Sequence, residues 1–126
     1  MLAAEIRSLV ERVHRDATVS SIADATEFLQ NLLGRRLVAY MVGVDTKTVS
    51  RWANQEVERV RQGSERRLRV AFEVALLLTV FDSPSVIRAW YIGLNPQLND
   101  ESPADAIRED QLQETLAAAR AFVTSG

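Results

Sequence analysis

Apolar residues recur along this chain at intervals of three, four and seven residues, which is the spacing of one face of an α-helix. The first stripe covers about residues 2–15 and consists of Leu2, Ile6, Leu9, Val10 and Val13. A second stripe consists of Ile22, Ala25, Phe28, Leu29 and Leu32. Gly34 ends the second helix, because glycine adopts positive φ angles readily. No segment alternates cleanly between apolar and polar residues, so the pattern predicts an all-α fold.

Capping signals predict where the other helices begin. Two short helices are expected over residues 35–42 and 46–55, followed by a connector over residues 56–63 and a loop over residues 93–101. Serine before proline, as in Ser83-Pro84 and Ser102-Pro103, is typical of a helix start. The other expected caps are Ser20 or Ser21, Asp45, Ser64 and Asp110. Ser64 is expected to open a long helix that is buried on most sides. Asp110 is expected to form a capping box with Gln113.

The two short helices carry apolar residues at the spacing of a helix-turn-helix unit. Ala39 is small enough for two helices to touch there, and Gly43 tolerates the turn. Val44 then plugs the turn into the core, and Val49 and Trp52 face inward from the second helix. Four agreements at fixed offsets favour a unit that places its second helix in the major groove of DNA.

Polar residues on the other face of that second helix are the candidate DNA contacts. They are Thr46, Lys47, Thr48, Ser50, Arg51 and Asn54. Further contacts to phosphates are expected from Arg35, Arg36, Arg59 and Arg61. The alternative is a three-helix unit used only for packing, with a solvated polar face. Three acids weaken the positive field in this region, namely Asp45, Glu56 and Glu58.

Charge is distributed unevenly, although the net charge of the 126 residues is only −2. Residues 35–69 carry nine cations and four acids, whereas residues 70–126 carry three cations and eight acids. Residues 1–34 carry three cations and five acids, so a basic middle lies between two acidic flanks. This distribution indicates two surfaces with different partners. Ordinary surface charge on helices is the alternative.

Two aromatic residues precede a loop that contains proline. Trp90-Tyr91 and Asn95-Pro96 could form a partner site, because tryptophan and tyrosine are favoured at interfaces. The alternative is that the aromatic side chains belong to the core, and for at least one of them this is the expected case.

This segment resembles the Xre/MbcA/ParS-like antitoxins of bacteria over about residues 28–122. The more specific matches are residues 89–98, residues 102–105 and the start of the long helix at Arg66-Arg67-Leu68. The resemblance implies an antitoxin that covers the active site of a RES-type, NAD-consuming toxin and represses its own operon. It implies toxin contacts at Trp90, Tyr91, Asn95, Pro96, Leu98 and Pro103. The tail with Phe122 and Val123 either enters the toxin or packs on the core.

Three domains are expected on this interpretation. They are an N-terminal amphipathic helix over residues 1–17, a DNA-binding helix-turn-helix domain over residues 18–63 and a helical toxin-binding domain over residues 64–126. We expect a homodimer or a symmetric complex with toxin, because a helix-turn-helix normally reads a pseudo-palindrome. The stripe over residues 2–13 is a candidate dimer element.

The composition argues against an enzyme, a metal site and a cofactor. The chain has no cysteine and a single histidine, His14, and it lacks a glycine-rich phosphate loop. The adjacent carboxylate pairs lie at helix starts, where capping explains them. The N-terminus lacks the pattern of a signal peptide, and no apolar run approaches the roughly 18 residues of a membrane helix. A cytoplasmic protein is therefore expected, and the resemblance implies a bacterial one.

Two other functions remain open from the sequence. One is a plain transcription regulator whose acidic C-terminal part only dimerises. The other is an interaction protein whose helix-turn-helix has lost contact with DNA. Substitutions in the second short helix test DNA binding, and substitutions at Trp90 and Asn95 test toxin binding. The two sets together distinguish the three interpretations.

Overall fold

The computed structural model describes residues 2–125, and this part of the chain is all-α, as predicted. The only strand-like pairing among these residues is an isolated bridge between Asn95 and Glu101. A single turn of 3-10 helix covers Pro96–Leu98. The α-helices are α1 (Ala3–Val19), α2 (Ile22–Leu33), α3 (Arg35–Val42), α4 (Thr46–Ala53), α5 (Gln62–Thr79), α6 (Pro84–Ile92), α7 (Pro103–Arg108) and α8 (Leu112–Ser125).

Helix α5 is the centre of the molecule, and it contacts α1, α2, α3, α6, α7 and α8. It is buried on most sides, as predicted, and Leu68, Ala75 and Leu78 are inaccessible to solvent. One hydrophobic core extends from Leu9 in α1 to Val123 in α8. All three predicted segments therefore contribute to the same core.

The apolar stripe of α1 finds its partner within this chain. Leu9, Val13 and Ala17 are buried, and α1 packs along α5. His14 adds a polar link on the same side, because its Nδ1 donates a 2.9 Å hydrogen bond to the carboxylate of the buried Glu73. The stripe thus stabilises the fold of the single chain.

Most of the predicted caps are correct, and two are wrong. The side chains that accept a hydrogen bond at a helix start are those of Ser21, Asp45, Ser83 and Ser102. Ser64 does not cap α5, because the helix already begins at Gln62 and buries Ser64 within it. Asp110 does not cap α8, which begins at Leu112. The backbone of Asp110 has φ 63°, and the Asp110 carboxylate pairs with an arginine of α5 instead.

Arginines from later helices satisfy the carbonyl groups at the ends of earlier ones. Arg69 in α5 donates to the carbonyl oxygens of Ala17 and Ser20 at the end of α1, at 3.0 and 2.9 Å. Arg88 in α6 donates to the carbonyl of Leu32 near the end of α2, at 3.1 Å. The last carbonyls of a helix have no partner within it and carry partial negative charge. These cations therefore hold the fold together, although the sequence alone counts them as surface charge.

Among the described residues, no helix combines the length and the apolar composition that crossing a membrane requires.

Candidate nucleic-acid interface

The turn between α3 and α4 is defined by a glycine and a capping aspartate. Gly43 lies in the left-handed region, at φ 82° and ψ 37°, and both its amide and that of Val44 donate to the carbonyl of Ala39. Asp45 then caps α4 by accepting a 2.8 Å hydrogen bond from the Thr48 amide. Hydrogen bonds from Thr48 hold the pKa of the Asp45 carboxyl below its ordinary value. This turn fixes where α4 begins.

The inner face of α4 is anchored in the core. Val49 and Trp52 are buried, and α4 packs mainly on α2 and α3. Ala39 is buried on α3, while Val44 is partly buried and packs against the core. Four apolar positions of the spacing argument therefore lie in or against the core, and the fifth, Gly43, forms the exposed turn. Because one face of α4 is held in this way, its opposite face has a defined orientation.

The outer face of α4 carries the six polar residues that the sequence nominated. Thr46, Lys47, Arg51 and Asn54 are exposed, whereas Thr48 and Ser50 are partly buried. The Arg51 guanidinium donates to the Thr48 hydroxyl at 3.2 Å. By helical phase the first five share one polar face of α4, which ends at Ala53, two residues earlier than predicted, and Asn54 follows directly after the helix.

Arg35, at the start of α3, extends this surface. Its guanidinium donates a 2.9 Å hydrogen bond to the Ser50 hydroxyl, so a cation from α3 lies against the outer face of α4. Arg36 is also exposed, and both arginines line a shallow groove of about 520 Å³ with Leu33, Leu37 and Ile92. Arg35 is thus joined directly to α4, and Arg36 is its neighbour on the same groove.

Arg59 and Arg61 line a second groove, which residues of α4 also line. An open groove of about 750 Å³ separates α4 and its preceding turn from the connector and the start of α5. Its charged lining consists of Arg51, Arg59, Arg61, Arg67, Asp45, Glu56 and Glu58. The cations outnumber the acids by one, so the groove is only weakly positive.

The aromatic pair before the proline loop divides between core and surface. Tyr91 is completely buried, while Trp90 is half-buried and lies edge-on to the Tyr91 ring, with centroids 5.4 Å apart. Trp90 also packs near Phe122, at 6.2 Å between centroids, and against Leu98. The core interpretation thus holds for Tyr91 and for much of Trp90. Phe122 packs on the core as well.

The loop after α6 is ordered by its own polar groups. The Asn95 side chain accepts a 2.9 Å hydrogen bond from the Gln97 amide and caps the 3-10 turn. The backbone amide of Asn95 donates a 3.0 Å hydrogen bond to the backbone carbonyl of Glu101. Of the residues nominated for toxin contact, Pro96 is exposed and Asn95 is half-buried. The buried ones, besides Tyr91, are Leu98, Pro103 and Val123.

Two exposed apolar side chains in this segment were not singled out from the sequence. Ile92 is 64% exposed and Leu94 is 78% exposed, on either side of Gly93. Helical phase could have identified Ile92, because it lies four residues after the exposed Arg88. The sequence signal is thus a pair of large apolar residues at the end of a helix that do not both fall on its buried face.

No known protein family, no curated protein and no solved structure matches this chain.

Proposed function

We propose that this protein binds duplex DNA through the outer face of α4 and acts as an antitoxin that represses its own operon. The observation that carries the DNA-binding part is the pairing of a buried inner face with a continuous polar, cationic outer face on α4. A helix anchored in this way keeps a fixed orientation when it enters a groove.

The chemistry of this face suits DNA. The major groove is about 12 Å wide and admits an α-helix. Lys47, Arg51 and Asn54 supply the donors that commonly read base edges, and hydroxyl groups supply further donors and acceptors. Arg35, whose guanidinium bonds to Ser50, and Arg36 would contact the adjacent phosphates and set the register of α4 on the duplex.

A matched pair of double variants tests this proposal. Lys47→Ala with Arg51→Ala removes two cations from α4, and Arg7→Ala with Arg12→Ala removes two exposed cations from α1. On a fragment of the protein's own promoter, the first variant should weaken binding at least about tenfold. The loss should be larger on this fragment than on a duplex of unrelated sequence, because Lys47 and Arg51 are proposed to read base edges, and the α1 variant should show no such loss. Equal behaviour of the two variants would contradict DNA binding through α4.

The antitoxin part of the proposal rests on the resemblance together with the exposed residues around Gly93. The resemblance implies that this segment contacts a RES-type, NAD-consuming toxin. Because Tyr91 and Leu98 are buried, we propose that the contact is made by Ile92, Leu94 and Pro96 and by the exposed part of Trp90. Exposed apolar side chains are suited to such a contact, since binding removes them from water.

Co-expression with the neighbouring genes tests the toxin contact. A toxin whose growth arrest is relieved by this chain should escape inhibition when Ile92 and Leu94 are both replaced by serine. Val19→Ser is the matched control, because Val19 is 82% exposed and lies at the end of α1. If the double variant still protects cells as well as the control does, the contact does not run through these residues.

A plain regulator is the second candidate, and the same apolar pair favours it as well. In that case Ile92 and Leu94 would join two copies of the chain, in keeping with the homodimer expected of a helix-turn-helix protein. Light scattering distinguishes the two functions. A fall from dimer to monomer in the double serine variant, with no neighbouring gene that arrests growth, would support the regulator.

A further inference from the structure

The end of α3 is held by an arginine from the centre of the molecule. Arg67, in α5, donates a 3.0 Å hydrogen bond from Nη1 to the carbonyl of Val42, the last residue of α3. The same nitrogen lies 3.0 Å from the position that a Cβ atom on Gly43 would occupy. The guanidinium therefore lies directly against the turn that leads into α4.

The other side of this guanidinium is paired with the turn between α7 and α8. Nε and Nη2 of Arg67 donate to the two carboxylate oxygens of Asp110, at 2.9 and 3.3 Å. The Asp110 backbone is left-handed, and its amide donates to the Ile107 carbonyl at 3.0 Å. The Arg67 side chain is only 21% exposed, whereas that of Asp110 is 53% exposed. One side chain thus joins the turn before α4 to the α7–α8 turn.

A second contact links the same parts of the molecule. Arg108, at the end of α7, donates to the carbonyl of Tyr40 in α3 at 2.6 Å and lies 4.5 Å from the centre of the Tyr40 ring. The Tyr40 hydroxyl donates in turn to the Asp105 carboxylate. The last turn of α3 is therefore held at Val42 by Arg67 of α5, and at Tyr40 by two residues of α7.

Arg67 is poorly suited to bind a phosphate itself. All three of its nitrogens already donate to protein acceptors, and the nearby Asp110 carboxylate would repel an anion. Yet Arg67 lines the same groove as Arg51 and Arg59. Its contribution to that groove is to hold the backbone from which α4 begins.

We propose that Arg67 and Asp110 are positioning residues for the DNA interface, because together they fix the turn over residues 43–45 and hence the position of α4. This proposal rests on the proposed DNA-binding function. It also makes the α7–α8 turn, far from α4 in the sequence, part of the interface's support. The carboxylate acts here through Arg67 and touches no DNA.

The sign of one effect separates positioning from simple electrostatics. Removing a carboxylate near the DNA should strengthen binding if charge alone matters. Asp110→Ala should instead weaken binding at least about fivefold, an ordinary size for coupling between sites. Glu109→Ala is the control, because it removes the adjacent exposed carboxylate, for which the structure gives no bond to Arg67. Affinities are compared well below the melting temperature of every variant.

A second variant keeps the test valid if Asp110→Ala folds poorly. Arg67→Lys keeps the positive charge but cannot make all three hydrogen bonds, since an ammonium group lacks the planar fork. It should weaken DNA binding while leaving the salt slope unchanged, because no phosphate contact is lost. Arg67→Gln removes the charge as well. A loss of affinity in that variant with a salt slope lower by about one would make Arg67 a direct phosphate contact, and would overturn the proposal.

Failure of this proposal can be told from failure of the proposed function. If Asp110→Ala strengthens binding as Glu109→Ala does, or if Arg67→Lys binds like the parent, positioning by this pair is wrong. The function itself still stands in that event, provided the Lys47 and Arg51 double variant loses affinity. If that double variant keeps its affinity, the function and the positioning role fail together.

Discussion

The hydroxyl group of Tyr91 donates a 2.7 Å hydrogen bond to the carbonyl oxygen of Ala71, and the whole side chain that makes it is buried. This bond fastens α6 to the middle of α5. Burial raises the pKa of the Tyr91 hydroxyl far above its ordinary value of 10, because the phenolate would lose its hydration. Tyr91 is thus a structural residue of the core, next to a segment whose exposed residues are proposed to bind a partner.

Alkaline pH should expose this role of Tyr91. Folding raises the pKa of Tyr91 above the value it has in the unfolded chain, which is about 10. The contribution of such a group to stability is complete below the unfolded pKa, and it falls as the pH rises above that value. The free energy of unfolding should therefore decrease between about pH 10 and 11, and Tyr91→Phe should make the decrease shallower. Urea titrations at several pH values measure this. Identical decreases in both proteins would show that Tyr91 does not titrate on unfolding.

Two glycines should respond differently to alanine, because only one of them has a positive φ. Gly43→Ala should cost about 1–2 kcal/mol of stability, because its left-handed φ is unfavourable for a side chain. The new methyl group would also press on the Arg67 guanidinium. Gly63→Ala should be neutral or stabilise by up to about 1 kcal/mol, because a Cβ there makes only ordinary contacts within α5. Thermal melts of both variants test the assignment, and a Gly43 variant as stable as the parent would contradict it.

The link between α1 and α5 should be measurable as a coupling energy. His14→Ala leaves the buried carboxylate of Glu73 without the hydrogen bond it accepts at 2.9 Å, which should cost about 1–3 kcal/mol. The double variant with Glu73→Ala should lose less than the sum of the single losses. Arg15→Ala, at an exposed neighbouring position, is the control. Additive losses would show that the two side chains are not coupled.

Local signals predicted most of the helices correctly. The pairs Ser83-Pro84 and Ser102-Pro103 mark true helix starts, since a cap and the proline after it act within one turn. Asp45 before Thr46 does the same for α4. Apolar spacing also places Val49 and Trp52 on the buried face, because helical phase depends only on neighbouring residues.

Long-range pairing explains where the sequence failed. Asp110 has the spacing of a capping box, but its carboxylate binds Arg67, 43 residues earlier in the chain, and no local rule contains that contact. Arg69 likewise counts toward the basic middle in the sequence but caps α1 in the structure. The same limit applies to Tyr91 and Trp90, since the helix phase alone does not say which neighbour covers each ring.

The most direct test of the central claim is an NMR titration of the labelled protein with a duplex from its own promoter. Binding through α4 should shift the backbone amides of Lys47, Arg51 and Asn54 and those of residues 35 and 36. Amides of α1, which packs on α5 away from this face, should change little. Shifts confined to α1 or to residues 92–96, or no shifts at a DNA excess in low salt, would contradict the account.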